Sequence, residues 1–379
     1  MKEINHSGLR TWVEIDKSAI AYNYKQFRNL IALKTKLMGV VKSNAYGHNF
    51  LEFAKELVTL GVDYLGVDSV VEGLALRREG IKTPILVLGY TLPEMQKGAV
   101  ENDLDLSISN FEALDSLLKQ TYTKIPKIHL KVDTGMTRQG FQLSDLEKVI
   151  ELLQKNKDKF SLDGLFTHFA AAKNPSFPND TKKQIEQFEV WRSAILEAGF
   201  TPICHASATS GTILFRQAEF DMVRVGMGMY GLWPSIETKA YAEQKMPLKP
   251  VLSWRTIVGE VKTLTENRGV GYDLTENLPA GAKVAILPVG YWHGYPRSLS
   301  SLGPVLINGQ KTRIIGRVSM DMLIVDVTNI SNIKVGDVAT LIGSDGNEIV
   351  SAEELSYILD ISWYELVTRI NPLIKRLYF

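Results

Sequence analysis

Several strand ends in the first part of the chain carry side chains that could do chemistry. In Val40–Asn49, VVKSNAYGHN, two valines run into Lys42 and then into small, polar, turn-forming residues. Lys42 is either the solvated tip of a strand or an amine delivered to the mouth of a site, where burial keeps it neutral and nucleophilic. Further on, HLKVDTGMTRQGF places Lys131, Asp133 and Arg138 around a glycine-containing loop. THFA puts His168 at a strand end, CHASATSG does the same for His205 and Thr209, and DMVRVGMGMYG sets Arg224 beside a glycine-rich turn. Singly, each has a bland reading, as a satisfied core histidine or a surface ion pair. Their accumulation in one half of the chain points to a site.

The elements that must position them alternate. From Thr11 to about Pro234, short apolar runs (WVEI, LMGVVK, YLGV, ILVLG, DLSI, IHLKV, LDGLFTHF, ICHAS, MVRVGM) are separated by amphipathic segments such as Ser18–Leu33, Phe50–Leu60, Leu146–Asn156 and Lys182–Ala198. Ser18 reads as an N-cap, and Gly61, Gly80 and Gly199 fall where helices should stop. About eight such alternations suit an α/β fold of the (β/α)8 barrel type better than an open sheet, and reactive groups then belong at the C-terminal strand ends. A doubly wound sheet stays open, because alternation does not separate closed from open. After Pro234 the pattern turns β-rich, with Gly, Asn and Pro turns, and only Ser351–Leu359 reads as helix. The expected organisation is a barrel over 1–240, its first ten or so residues packing with a mainly β domain over 241–379. GMGMYG matches G-x-G-x-x-G, but LWPSIET follows where a dinucleotide fold needs a helix. A phosphate cradle is the better reading.

Composition narrows the function. Lys and Arg number 43 against 42 Asp and Glu, so no global field recruits nucleic acid or an anionic membrane. The single cysteine, Cys204, excludes an intrachain disulfide and a multi-cysteine zinc site, and the six histidines have no ligand-like spacing, so no metal is expected. The N-terminus lacks an apolar leader core, and no stretch approaches the roughly 20 apolar residues of a membrane span. A cytoplasmic location is the expectation.

VVKSNAYGHN resembles the pyridoxal-phosphate attachment motif of the alanine racemases. The resemblance continues in order through HLKVDTGMTRQGF, THFA, DMVRVGMGMYGL, GVGYD, PVGYWHGYPR, NGQKTRIIGRVSMDMLIVDVT and WYEL. It implies a barrel plus a β domain, pyridoxal 5'-phosphate as cofactor and a homodimer with shared sites. It also implies interconversion of L- and D-alanine, which supplies D-alanine for peptidoglycan. Lys42 would bind the cofactor and act as base on one face of the substrate, with Tyr272 from the other subunit on the opposite face. Arg224 would face the pyridine nitrogen and, staying protonated, donate to it rather than protonate it. Phosphate contacts map to Tyr46, Thr209, the backbone of Gly226 and Met227, and Tyr364. His168 would lie near the cofactor ring and His205 would bond Arg224. Arg138 would hold the substrate carboxylate side, with Lys131 as a site of carbamylation. From the other subunit, the backbone of Met320 would contact the substrate carboxylate and Tyr291 would narrow the entrance.

The departures fall beside these residues. Ala208-Thr209 replaces the usual Asn-Ser, Thr137 a usual glycine, and Trp292-His293 small and acidic residues. Asp273 follows Tyr272, and its carboxylate would oppose ionisation of the phenol if it turned inward. Racemisation of serine, lysine or a broader set is therefore the alternative. A decarboxylase would need an acidic partner for the pyridine nitrogen where Arg224 stands, and a non-catalytic pyridoxal-phosphate carrier would lack the β domain.

Overall fold

The computed structural model describes residues 4–379. The chain divides into two compact units: Ile20–Ala45 with Phe50–Lys249, and the N-terminal segment through Ala19 with Tyr46–Asn49 and Pro250–Phe379. Strand β1 (Thr11–Ile15) belongs to the second unit. The first unit holds β2 (Lys36–Val40), β3 (Tyr64–Val67), β4 (Ile85–Val87), β5 (Asp105–Ile108), β6 (Lys127–Lys131), β7 (Ser161–Phe166), β8 (Ile203–His205) and β9 (Met222–Val225). All pair in parallel in the order β8-β7-β6-β5-β4-β3-β2-β9, so β2 joins both β3 and β9 and the sheet curls. At the seam, Asp221 N donates to Cys204 O (3.0 Å) and Arg224 N to Ser207 O (2.9 Å), which makes an almost closed barrel. Strands such as YLGV, DLSI and MVRV are buried along their whole length, because the barrel interior covers one face and helices the other.

The helices follow the strands as the pattern requires. Ser69 and Asn110 cap Val70–Arg78 and Phe111–Lys119 by accepting from Glu72 N and Ala113 N. Gly61, Gly80 and Gly199 terminate helices with φ of 90°, 81° and 90°. The first helix, Lys17–Leu30, is capped by Asp16 rather than by Ser18. The Asp16 carboxylate accepts from Ser18 N (2.8 Å), Ala19 N (3.1 Å) and the Ser18 hydroxyl (2.6 Å).

The second unit corrects one expectation. WVEI is not a barrel strand: β1 pairs antiparallel with β10 (Leu252–Ile257) and parallel with β20 (Lys375–Tyr378). Its half-buried Glu14 bonds Arg255 (3.1 Å) and Trp12 Nε1 (3.0 Å), contacts that a wholly apolar barrel slot would deny it. The two units follow one another in the chain at Lys249/Pro250, and the helix Ile236–Ala242, capped by Ser235, packs in the first unit. Between β10 and β20 lie β11 (Glu260–Thr263), β12 (Arg268–Val270), β13 (Glu276–Leu278), β14 (Lys283–Leu287), β15 (Pro304–Ile307), β16 (Gln310–Ile315), β17 (Leu323–Asp326), β18 (Val338–Asp345) and β19 (Glu348–Val350). The main sheet runs β11-β14-β17-β16-β15-β18-β10-β1-β20, with β19 on β18 and β12–β13 as a separate hairpin. Ser351 caps the expected helix, Ala352–Leu359, and WYEL opens a second one, Trp363–Thr368.

Candidate active site

The C-terminal end of β2 delivers Lys42 into an unusual turn. Ser43, Asn44, Ala45 and Tyr46 have φ of 56°, 55°, 49° and 51°, one turn of left-handed helix without a glycine. Such a conformation costs about 1–2 kcal/mol per L-residue, so the surroundings must over-determine it. Ala45 N donates to Val41 O (2.9 Å), Asn44 Oδ1 accepts from Phe50 N (3.0 Å), and Glu72 Oε1 accepts from Ser43 N (2.9 Å). The second oxygen of Glu72 accepts from Asp68 N (2.7 Å) and so ties the loop after β2 to the loop after β3. Sequence reasoning missed Glu72, because an acidic residue in the first turn of a helix reads as a complement to its dipole. Lys42 Nζ lies 3.0 Å from Asp68 Oδ1, a partly exposed and hence weak pair. Removing both acceptors in Glu72→Ala is expected to cost about 2–4 kcal/mol in denaturant unfolding, and Glu72→Gln, which keeps one, clearly less. A Glu72→Ala protein as stable as the parent would show that the turn needs no clamp.

The next strand end gathers cations. Lys131 closes β6 at 5% exposure, and its Nζ donates to Gln139 Oε1 (2.8 Å). Burial first, then the charges of Arg138, Arg224 and Lys42, pull its pKa down to about 7. After it, Asp133 folds the loop around its carboxylate. Oδ1 accepts from Gly135 N (2.9 Å), Met136 N (2.9 Å) and Thr137 N (3.2 Å), and Oδ2 from Arg138 N (3.2 Å). Burial alone would raise this carboxyl, but the four N–H donors outweigh it and hold it below its ordinary value. The loop sets Thr137 at φ 56°, a strained place for a β-branched residue, and presents Arg138 to solvent.

Arg224, on β9, is 3% exposed. Its Nη1 donates to His205 Nδ1 (2.9 Å) and His205 O (3.1 Å), and its Nη2 to Thr167 O (2.8 Å), Ala206 O (2.9 Å) and His168 Nδ1 (3.2 Å). A guanidinium only donates, so both imidazoles accept and both are neutral. Burial, followed by the Arg224 charge, accordingly lowers His168 to about 3 and His205 well below its ordinary value. Burial and Arg138 bring Arg224 itself down to about 9. Among the described residues, its Nε–H takes no protein acceptor.

Beyond β9, buried Gly226 leads into a short turn, Met227–Tyr230, rather than a long helix. Gly228 is obligatory there, since a Cβ would lie 2.2 Å from Phe27 Cζ, and its N–H points to Thr209 Oγ1 at 3.4 Å. The barrel mouth thus holds Lys42, Lys131, Arg138 and Arg224, with Asp68, Asp133 and the backbone-bonded Glu72 as the carboxylates described near them. A cationic mouth walled by a glycine turn and hydroxyls fits an anionic group such as a phosphate monoester. No cluster suited to a metal ion occurs among the described residues.

The remaining predicted residues lie in the second unit. Tyr46 ends the left-handed turn, and its neighbour Gly47 sits where a Cβ would meet Val367 O at 2.0 Å. Arg376 Nε donates to Gly47 O (3.0 Å) and the Tyr378 hydroxyl to His48 O (2.6 Å). Tyr364 is half-buried on the helix Trp363–Thr368, not in a β core. Tyr272, Tyr291 and Met320 converge on one loop. Tyr291 N donates to Ser319 O (3.1 Å) and Trp292 N to Met320 O (3.0 Å), while the turn carrying Tyr272 is tied to the same loop by Asp273–Arg317 (2.7 Å). The Asp273 carboxylate is therefore committed to Arg317, not turned onto the phenol. All three predicted residues are exposed, Tyr272 at 69%, Met320 at 54% and Tyr291 at 43%.

Comparison with known proteins accounts for both halves. Residues 15–234 match the alanine racemase N-terminal domain and residues 251–378 the alanine racemase C-terminal domain. The chain is 38% identical to the alanine racemase of Methanococcus maripaludis over 372 residues, 97% of this chain and 98% of the relative. It is 37% identical to that of Symbiobacterium thermophilum over 375 residues, 98% of each. Among solved structures, the alanine racemase of Clostridium difficile 630 superposes with a TM-score of 0.92 at 31% identity, covering 98% of this chain and 96% of that one. The Bacillus anthracis alanine racemase with bound L-Ala-P gives 0.92 at 33% identity over 98% and 95%. With both units matched along nearly their full length, the chain belongs to the alanine racemase family.

Proposed function

We propose that this protein is a pyridoxal 5'-phosphate-dependent alanine racemase, working as a homodimer with shared sites and supplying D-alanine for peptidoglycan. The observation that carries the cofactor assignment is the barrel mouth itself, with an amine on a rigid left-handed turn and a buried guanidinium whose Nε–H has no acceptor among the described residues. Bound through Lys42 Nζ, the cofactor supplies an electron sink that makes the substrate α-proton acidic. Arg224 Nε–H would donate to the ring nitrogen without surrendering its proton, which would keep that sink modest and disfavour protonation at the wrong carbon. Neutral His168 and His205 hold the guanidinium without adding charge. Tyr46, Thr209, Tyr364 and the backbone of Gly226 and Met227 hold the phosphate, and Arg138 the substrate carboxylate side. Lys42 moves the α-proton on one face and Tyr272 on the other, while the Met320 backbone contacts the substrate carboxylate and Tyr291 confines the side chain to a small one.

The dimer reading is supported by the exposed apolar group around that loop, Tyr272, Leu274, Trp292, Met320 and Met322, since soluble monomers seldom expose such patches. The deciding test is α-proton exchange in heavy water on the cofactor-loaded protein, with both enantiomers of alanine, serine and lysine and chiral analysis of the products. Inversion fastest for alanine is the expected result. Faster inversion of serine or lysine would move the substrate, and no inversion would refute racemisation.

Lys131 is the proposed carbamylation site. Only a neutral amine adds to carbon dioxide, losing one proton as the N–C bond forms, and a pKa of about 7 leaves a large neutral fraction at physiological pH. The resulting carbamate would replace a cation beside Arg138 with an anion. Carbon-13 bicarbonate is expected to give one carbonyl resonance at neutral pH that fades as pH falls below 7 and is missing in Lys131→Gln. No signal under saturating bicarbonate would count against the modification.

A further inference from the structure

A line of buried polar side chains leads from Arg224 into the barrel interior. His205 Nε2 lies 2.9 Å from His129 Nδ1, and His129 Nε2 lies 3.5 Å from Asp105 Oδ2. His205 and His129 are 0% exposed and Asp105 is 2%. The direction of every link follows from the guanidinium, which only donates. His205 Nδ1 accepts from Arg224, so its proton sits on Nε2 and is donated to His129 Nδ1. The His129 proton is then on Nε2, the atom 3.5 Å from Asp105 Oδ2, within ion-pair distance though not in a formed hydrogen bond. Neither His129 Nε2 nor Asp105 Oδ2 has a hydrogen-bond partner among the described residues, and the Tyr64 side chain also bears on Asp105.

The fold makes room for this line. The β6–β7 register shifts between Ile128 and His129, and Gly164 stands where a Cβ would lie 2.0 Å from His129 Nδ1. Phe166 stacks on His205 with ring centroids 4.8 Å apart, and Tyr64 meets the His129 ring edge-on at 6.0 Å. Space kept for a histidine by a glycine and a bulge is a costly arrangement for a mere core residue.

We infer that Asp105 and His129 are positioning residues for Arg224: they lock His205 in the tautomer whose Nδ1 holds the guanidinium and so fix the aim of its remaining donor. The consequence for catalysis rests on the cofactor reading above, whereas the lock is a property of the protein alone. An asparagine at 105 can donate to His129 Nε2. That would move the His129 proton to Nδ1, set it against His205 Nε2–H, and reverse His205 so that an N–H faces Arg224.

The test is nitrogen-15 NMR of the holoenzyme labelled at its six histidines, assigned with single His→Gln variants. The wild type is expected to show His129 and His205 both protonated on Nε2. Asp105→Asn should move His129, His205 or both toward the Nδ1–H tautomer and lower kcat for alanine roughly tenfold, as loss of an outer orienting partner does, with KM nearly unchanged. An Nδ1–H tautomer at either histidine in the wild type would overturn the lock, and needs no variant to fold. Unchanged tautomers in Asp105→Asn would overturn it as well. Should the wild type racemise nothing, the cofactor reading fails while the tautomer spectrum still decides the lock.

Discussion

Replacing Lys42 with alanine is expected to abolish covalent retention of pyridoxal phosphate and to slow racemisation by at least about 10⁴-fold. The loss would not be a folding defect. The turn after β2 is held by the N–H groups of Ser43 and Ala45 and by the Asn44 side chain, none of which involves the Lys42 amine. The Lys42–Asp68 pair is partly exposed and contributes little to stability. A competing amine exists at the same mouth, because Lys131 is depressed to about 7 and would be the more reactive free nucleophile. What separates them is access: Lys131 is 5% exposed and bonded to Gln139, whereas Lys42 stands on a turn that opens to the mouth. Borohydride trapping followed by peptide mapping distinguishes the two. Label on Lys131 in the Lys42→Ala protein, with activity retained, would transfer the role of attachment and sink the present assignment.

What the sequence disclosed and what it hid divide along physical lines. The strand–helix alternation was legible because the strands are buried throughout and spaced by amphipathic helices, but closure was not, since an open sheet shows the same alternation and the β2–β9 pairing is long-range. The assignment of β1 was not, since a strand's composition does not say which sheet will pair with it, and its partners lie at β10 and β20. Nor was the docking of Tyr46–Asn49 into the second unit, which depends on Arg376 and Tyr378 at the far end of the chain. Within the site, Lys42, His168, His205 and Arg224 stood out as polar residues ending apolar runs. Glu72 and Asp133 act by accepting main-chain N–H groups, and nothing in a residue's type announces that. SNAY contains no glycine to betray its positive φ values. His129 and Asp105 are hidden for a further reason: their meaning lies in contact with each other and with His205, across strands far apart in sequence.

Tyr272→Phe is expected to leave stability unchanged and to damage the two directions of exchange unequally. The ring is 69% exposed in the single chain, so no packing is lost, and its turn is held by Gly271 at φ 72° and by the Asp273–Arg317 pair rather than by the hydroxyl. In the proposed homodimer, Tyr272 of one copy serves the barrel of the other, and Phe removes only the proton-carrying oxygen. Loss of a positioned acid or base costs about 10²–10⁴-fold. Exchange of the α-proton starting from L-alanine should fall by that order, while exchange from D-alanine, left to Lys42, should persist without inversion. Because the Asp273 carboxylate is matched by Arg317, Asp273→Asn should by contrast shift neither arm strongly. Equal losses from both enantiomers in Tyr272→Phe would overturn that division of labour, and no loss from either would mean that one group serves both faces. The substrate would then have to present each face in turn to Lys42, and the exposed loop of Tyr272, Tyr291 and Met320 would be an entrance rather than half of the catalytic apparatus.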